Sequence, residues 1–176
     1  NQYANTDNIN AHYFTTAPEI LEDFPAPTYV FVGAGTTGTL NGIVKYFNEF
    51  CPLTKIIAVD AAGSVTFSKP ASPRHIPGIG TSRVPEIATL LDKSLLHDVL
   101  WISEIDTIRM CHRILNEYSV PMGGSTGSVV AGIIAYAGKF KAGDTIIGIS
   151  PDFGGKYLDT IYNPAWVAQK YQLTIK

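Results

Sequence analysis

Charge of one sign, long apolar runs and cysteine are all scarce in this 176-residue chain, and each scarcity removes a class of function. The 13 basic side chains against 15 acidic ones leave a net charge of −2. Such a balance gives no electrostatic case for nucleic acid or an anionic membrane surface. No apolar run approaches the roughly 18–20 residues that cross a bilayer. Cys51 and Cys111 have neither CxxC nor metal-ligand spacing, and His12, His75, His97 and His112 are scattered. The sequence therefore implies free thiols, a cytoplasmic location and no metal site. An initiator methionine is also missing: Asn1-Gln2-Tyr3-Ala4-Asn5 reads like the middle of something, which predicts that the chain is the C-terminal part of a longer polypeptide.

What is present is a chain with 45% hydrophobic and 16% charged side chains, enough to bury the core of one domain. Its most informative stretch is Tyr29 to Thr39, a short β-branched run feeding a Gly and Thr loop that opens a helix. Gly33, Gly35 and Gly38 let the backbone approach a ligand, and Thr36, Thr37 and Thr39 add hydroxyl donors. The unpaired N–H groups of the helix then complete an anion cradle suited to phosphate.

Apolar runs alternate with helical patterns. Strands are predicted at Tyr29–Val32, Lys55–Asp60, Leu96–Ile102 and Thr145–Ile149. Helices are predicted around Ile43, Val44, Phe47 and Phe50, around Ile105 to Leu115, over Ser128–Lys139 as a buried helix, and near the end of the chain. Arg113 and Glu117 stand four apart on the polar side of the second helix. The pattern implies an α/β fold, a mostly parallel sheet with helices on both faces. Ligands bind such sheets at the carboxyl ends of the strands, which directs attention to Gly33–Thr39, to the Gly-, Ser- and Pro-rich segment Ala61–Arg83, and to Pro151–Lys156. A second glycine-rich turn, Gly123–Ser128, opens the buried helix and could grip the far end of an extended ligand.

A dinucleotide reading competes. Gly33-Ala34-Gly35-Thr36-Thr37-Gly38 satisfies GxGxxG, and Asp60 ends the next strand at about the spacing of a ribose-binding acid. That reading leaves Gln2, the Ala61–Arg83 loop and the second glycine turn unexplained.

Four ordered segments carry a resemblance: Asn1–Asn5 with Ala11-His12-Tyr13, Gly35–Thr39, Pro77–Gly80, and Gly123–Gly127. Together they resemble the C-terminal half, the large domain, of the fold-type II, pyridoxal-phosphate-dependent cysteine synthase and cystathionine β-synthase family. Asp60–Val65 and Gly80–Ile87 look most like the members that join O-phosphoserine to glutamate. Their product, N-(2-amino-2-carboxyethyl)-L-glutamate, precedes 2,3-diaminopropionate in siderophore and peptide antibiotic pathways.

The resemblance implies pyridoxal 5′-phosphate as cofactor, with Gly35, Thr36, Thr37, Gly38 and Thr39 at its phosphate and Ser125 at its pyridine nitrogen. A neutral hydroxyl there weakens the electron sink and favours expelling a β-substituent. Substrate binding falls to Gln2, near the substrate carboxylate, to the closing loop Gly78, Ile79 and Gly80, and to Arg83 as a guanidinium clamp for an acidic nucleophile or phosphate leaving group. Arg83 reads equally as a solvated loop cation. The implied reaction is β-replacement on a serine derivative, in a homodimer acting on small amino acids.

The chain departs from the family in one decisive respect. None of its lysines sits in the family's Ser-x-Lys context, and the Thr-Ser-Gly-Asn loop is missing, so no catalytic residue is assigned to this chain. The lysine that holds the cofactor is expected upstream, in a missing half or a complementary chain. Gly35 stands where the glutamate-using enzymes carry Ser and cysteine synthases carry Gly, so a cysteine or cystathionine synthase stays open. A non-catalytic ligand-binding remnant stays open too, and an NAD-dependent oxidoreductase comes last.

Several residues have plain structural readings. Cys111 reads as a small core residue and Cys51 as a loop thiol. Asp152 reads as a residue that holds its own loop. Among the histidines only His75, two residues before Pro77, is placed near the site.

Overall fold

The computed structural model describes residues 1–67 and 69–175. Its centre is a sheet of four parallel strands, β1 (Tyr29–Gly33), β2 (Lys55–Ala61), β3 (Asp98–Ile102) and β4 (Ile146–Gly148), in the order β3-β2-β1-β4. Tyr29 pairs with Lys55 on one side and with Ile146 on the other, which aligns the carboxyl ends of β1, β2 and β4 along one edge.

Alternation along β1 divides the core. Val30 and Val32 face a cluster with Leu40, Ile43, Val44 and Phe47 of α3 (Gly38–Phe50). Tyr29 and Phe31 face the opposite way, against Val129 and Ala131 of α5 (Gly124–Tyr136). Both faces of β1 are thus buried, as a parallel strand requires, and the predicted fold class holds. A third cluster joins Ile108 and Cys111 of α4 (Glu104–Tyr118) to Ile76, Ile161 and Val167, the last from α6 (Pro164–Tyr171). Ser103 caps α4 by accepting from the Asp106 N–H at 3.1 Å, and Asn163 caps α6, which begins with Pro at its first position.

The structure corrects several predicted boundaries. The third strand begins at Asp98 rather than Leu96, because Asp92 caps a 3₁₀ turn over Lys93–Leu95 that uses up the preceding residues. The fourth is trimmed to Ile146–Gly148. The buried helix starts at Gly124, four residues before the predicted Ser128, and ends at Tyr136 with a 3₁₀ turn over Ala137–Lys139. Its Gly-Ser-Thr run is helical because a packed environment overrides poor local propensity. It is not buried all round, since Ile134 is 45% exposed near its C-terminal end.

Two short helices escape sequence reading, α1 (Asp7–Phe14), which buries Ile9 alone and shows no apolar stripe, and α2 (Thr16–Asp23), whose stripe Ala17, Ile20 and Leu21 spans little more than one turn. The first lies tightly on α3. A Cβ on Gly42 would stand 2.7 Å from the Ile9 carbonyl and 2.8 Å from the Tyr13 nitrogen, so only glycine permits this approach.

Candidate active site

At the carboxyl end of β1 the chain turns sharply into α3. Thr37, the residue before that helix, sits at φ 74°, the left-handed region a β-branched residue rarely occupies. Its side chain makes no capping bond, so the first-turn N–H groups of α3, which no helical carbonyl can satisfy, stay available to a ligand. The Thr37 hydroxyl oxygen is buried without a hydrogen-bond partner. A buried, unpartnered hydroxyl is costly unless something else satisfies it.

This turn lines a cleft of about 350 Å³. Gly35, Thr36, Thr37, Gly38 and Thr39 share that lining with Gln2, Tyr3, Gly78, Gly80, Ser125, Ile149 and Pro151. Among the described residues no lysine lines it. The structure thus brings residues of both glycine turns into one cleft, the phosphate-type cradle and Ser125 of the α5 N-terminus, which is also without a side-chain cap.

Of the residues singled out from sequence, Gln2, Gly78, Gly80, Ser125 and the whole Gly35–Thr39 turn line the cleft. Ile79 does not. It is 3% exposed and packs into the core beside Phe31 and Val59, so its side chain anchors the turn while its glycine neighbours present backbone. Arg83 is also absent from the lining, and its guanidinium lies over the Tyr3 ring, 5.4 Å from the centroid. Asp60 is fully buried at the end of β2, where Oδ1 accepts from the Ala61 N–H, and it does not line the cleft. Burial pushes its carboxyl up to about 6. A carboxylate turned inward in this way cannot hold a ribose hydroxyl in the cleft, which removes the main support of the dinucleotide reading.

Two of the four histidines stand elsewhere than the sequence suggests. His75 is exposed, with its backbone N–H bonded to Glu104 and its ring against Tyr171. His12 lines the cleft instead. Its Nε2 bonds the Thr39 hydroxyl at 3.0 Å and its Nδ1 the Thr16 hydroxyl at 2.9 Å, and burial lowers its pKa, which favours the neutral ring. One turn earlier, Asn8 Nδ2 donates to the Gln2 carbonyl at 2.9 Å and to Thr36 Oγ1 at 3.1 Å. Asn8 and His12, at i and i+4 on α1, therefore orient two cradle hydroxyls. The four-residue spacing was the available signal, but it shows only once α1 is known to be a helix.

The Tyr157 hydroxyl donates to Asp152 at 3.0 Å, and burial followed by this bond pushes the phenol up to about 12. Asp152 holds its loop as predicted, its carbonyl also accepting from the Gly123 N–H at 3.0 Å.

A parallel α/β sheet with an anion cradle and a serine lining one cleft at its carboxyl edge is the architecture of a domain suited to a compact phosphorylated ligand. The chain matches the pyridoxal-phosphate dependent enzyme family over residues 1–152 and belongs to it. It is 39% identical over 173 residues to the N-(2-amino-2-carboxyethyl)-L-glutamate synthase of Cupriavidus metallidurans, an alignment covering 96% of this chain and 50% of that relative. The crystal structure of an O-acetylserine dependent cystathionine β-synthase from Helicobacter pylori superposes with a TM-score of 0.83 at 28% identity, over 92% of this chain and 53% of that one. An O-ureido-L-serine synthase structure gives 0.84 at 29% identity, over 95% and 55%. The chain thus spans about half the length of the relatives it matches.

The site fits the family's cofactor. The open N-terminus of α3, the glycine backbone and the unpartnered Thr37 hydroxyl suit a phosphate, and the Ser125 hydroxyl lines the same cleft. When bound, pyridoxal phosphate supplies an electron sink for chemistry at the α- and β-carbons of an amino acid.

Proposed function

We propose that the intact protein performs β-replacement on a serine derivative, joining O-phospho-L-serine and L-glutamate into N-(2-amino-2-carboxyethyl)-L-glutamate for 2,3-diaminopropionate. The reading rests on one observation above all, the Gly35–Thr39 cradle and Ser125 lining a single cleft, together with the 39% identical relative named for that product. In this proposal Gly35 to Thr39 hold the cofactor phosphate, and Ser125 donates to the ring nitrogen. Gln2 orients the substrate carboxylate, Gly78 and Gly80 close on the substrate with Ile79 as their anchor, and Arg83 swings from Tyr3 toward an acidic group. The lysine that holds the cofactor and moves the α-proton belongs to the part of the protein outside residues 1–176, and the absence of a lysine from the cleft lining supports this. The whole protein is read as a cytoplasmic homodimer.

Gly35 favours a second reading, a synthase using a sulfur nucleophile. A Cβ there would stand 3.2 Å from the Gly78 carbonyl, so the serine of the glutamate-using enzymes would have to push that turn aside.

The test is a visible absorption titration of the intact protein. The cofactor band should shift on adding O-phosphoserine and return on adding glutamate. Return only with sulfide or homocysteine would establish the second reading, and no band after incubation with pyridoxal phosphate would overturn both.

A further inference from the structure

The turn that faces the cleft with Gly78 and Gly80 is held from behind by a residue that touches neither cleft nor ligand. Arg74 Nη1 donates to the Ile79 carbonyl at 3.1 Å, and Nη2 donates to Ser82 Oγ at 3.0 Å. One guanidinium thus spans the turn. The packing behind it is tight: a Cβ on Gly80, which sits at φ 75°, would stand 2.6 Å from Arg74 Nη1 and 2.9 Å from Ala61 Cβ. The turn is also fastened to the cradle, since the Gly80 N–H donates to the Ala34 carbonyl at 2.8 Å. Beneath it, three buried hydroxyls fix the next residue. Ser64 Oγ accepts from the Thr81 N–H at 3.0 Å, and Thr66 and Thr81 share a 2.8 Å bond.

Asp60 stands beside Ala61 and is the one fully buried carboxylate among the described residues. Its Oδ2 and Arg74 Nε are each buried without a hydrogen-bond partner. Neither residue serves the cradle, and Lys in place of Arg could not reach both acceptors of the turn.

We propose that Arg74 is a positioning residue whose two-pronged bond to Ile79 and Ser82 fixes the Gly78–Gly80 turn in the conformation that meets the substrate. The proposal deepens the reading of that turn as a substrate-closing element, but its first readout does not depend on the reaction. Amide hydrogen exchange on the intact holoenzyme should show Gly80 and Thr81, whose N–H groups are bonded to Ala34 and Ser64, exchanging roughly tenfold faster or more in Arg74→Gln, the scale of losing bonds to a charged donor. Arg74→Lys should fall between wild type and Arg74→Gln. Cofactor affinity should stay within about twofold while KM for the amino-acid donor rises by roughly tenfold, because the cradle is left intact. Faster exchange spread uniformly over the sheet, or unchanged exchange at Gly80 and Thr81, would overturn the proposal. Local exchange as expected in a protein that fails the absorption titration would sink the functional reading and leave the clamp standing.

Discussion

The two glycine-rich turns at the cleft have similar composition and opposite physics. In Gly33–Thr39 two of the three glycines keep space open: a Cβ on Gly33 or Gly35 would meet its nearest neighbours at 3.6 and 3.2 Å, a tolerable or mildly tight contact, whereas one on Gly38 would collide with the Asn8 side chain of α1. In Gly123–Ser128 the glycines are already filled against. A Cβ on Gly127 would collide with Cys111 Sγ and stand 2.8 Å from the Thr107 carbonyl, and one on Gly124 would stand 2.5 Å from Ile76. The first turn thus leaves room beside Gly33 and Gly35, while every glycine of the second is closed in, Gly123 by Asp152, Gly124 by Ile76 and Gly127 by α4. Only Ser125 of the second faces the cleft. A glycine run in a sequence therefore does not announce a ligand, since close packing asks for the same residue.

The comparison can be made only in a fixed protonation state, and Asp60, beneath the loop that reaches from the sheet to the cleft, sets the window. Its folded pKa, about 6, lies above its ordinary 3.8, so the folded state binds the extra proton between those values. Stability from this group therefore falls as pH rises from about 4 to about 6, and the cost is fully present above that. The difference is worth about 3 kcal/mol. Denaturant titrations of wild type and Asp60→Asn from pH 4 to 7 should show the variant's slope flatter by this amount. Parallel curves would mean that the carboxylate is not desolvated.

Next in size is Gly127→Ala. Forcing a methyl group between Cys111 and the Thr107 carbonyl should cost about 2–3 kcal/mol, or roughly 4–12 °C in melting temperature for a protein of this size or larger. The cofactor absorption of the fraction that folds should keep its position. A variant as stable as wild type would show that α4 and α5 can separate freely.

How much of this was legible beforehand follows from the same contrast. The four strands and the cradle could be read because β-branched runs and a glycine turn at a helix start are local signals. Val30 and Val32 against Tyr29 and Phe31 needed only alternation. The early start of α5 was invisible, because Gly124 and Gly127 are helical through contacts with Ile76, Cys111 and Thr107, residues distant in sequence. Asn8 and His12 were missed for a related reason: α1 buries Ile9 alone, so nothing in its own pattern marks a helix or the face that meets Thr36 and Thr39. His75 was misjudged because proximity in sequence to Gly78 does not survive the turn at Pro77. Arg83 was recognised as a charge near the mouth, but that it rests on Tyr3 is a tertiary fact.

Smaller still is the effect of Thr37→Val. The hydroxyl has no partner in the protein, so a methyl of the same shape should stabilise the cofactor-free state by up to about 1 kcal/mol. Cofactor affinity should fall by roughly tenfold if that hydroxyl donates to the phosphate. Opposite signs in the two measurements, melting without cofactor and equilibrium binding with it, would identify the hydroxyl as one kept for a ligand. A loss in both would make it structural.

The smallest stability change belongs to Gly35→Ala, and it sharpens the comparison most. Its Cβ would press only on the Gly78 carbonyl at 3.2 Å, a strain the turn can relieve by a few tenths of an ångström, so the melting temperature should move by no more than about 1–2 °C. Binding should suffer more than folding: the displaced carbonyl belongs to the turn that faces the substrate, and KM for the amino-acid donor should rise severalfold. Gly127→Ala and Gly35→Ala thus exchange roles, the same methyl group costing folding at one turn and binding at the other. If Gly35→Ala instead melts as low as Gly127→Ala, the first turn is as tightly filled as the second, and the space assigned to a ligand is packing after all.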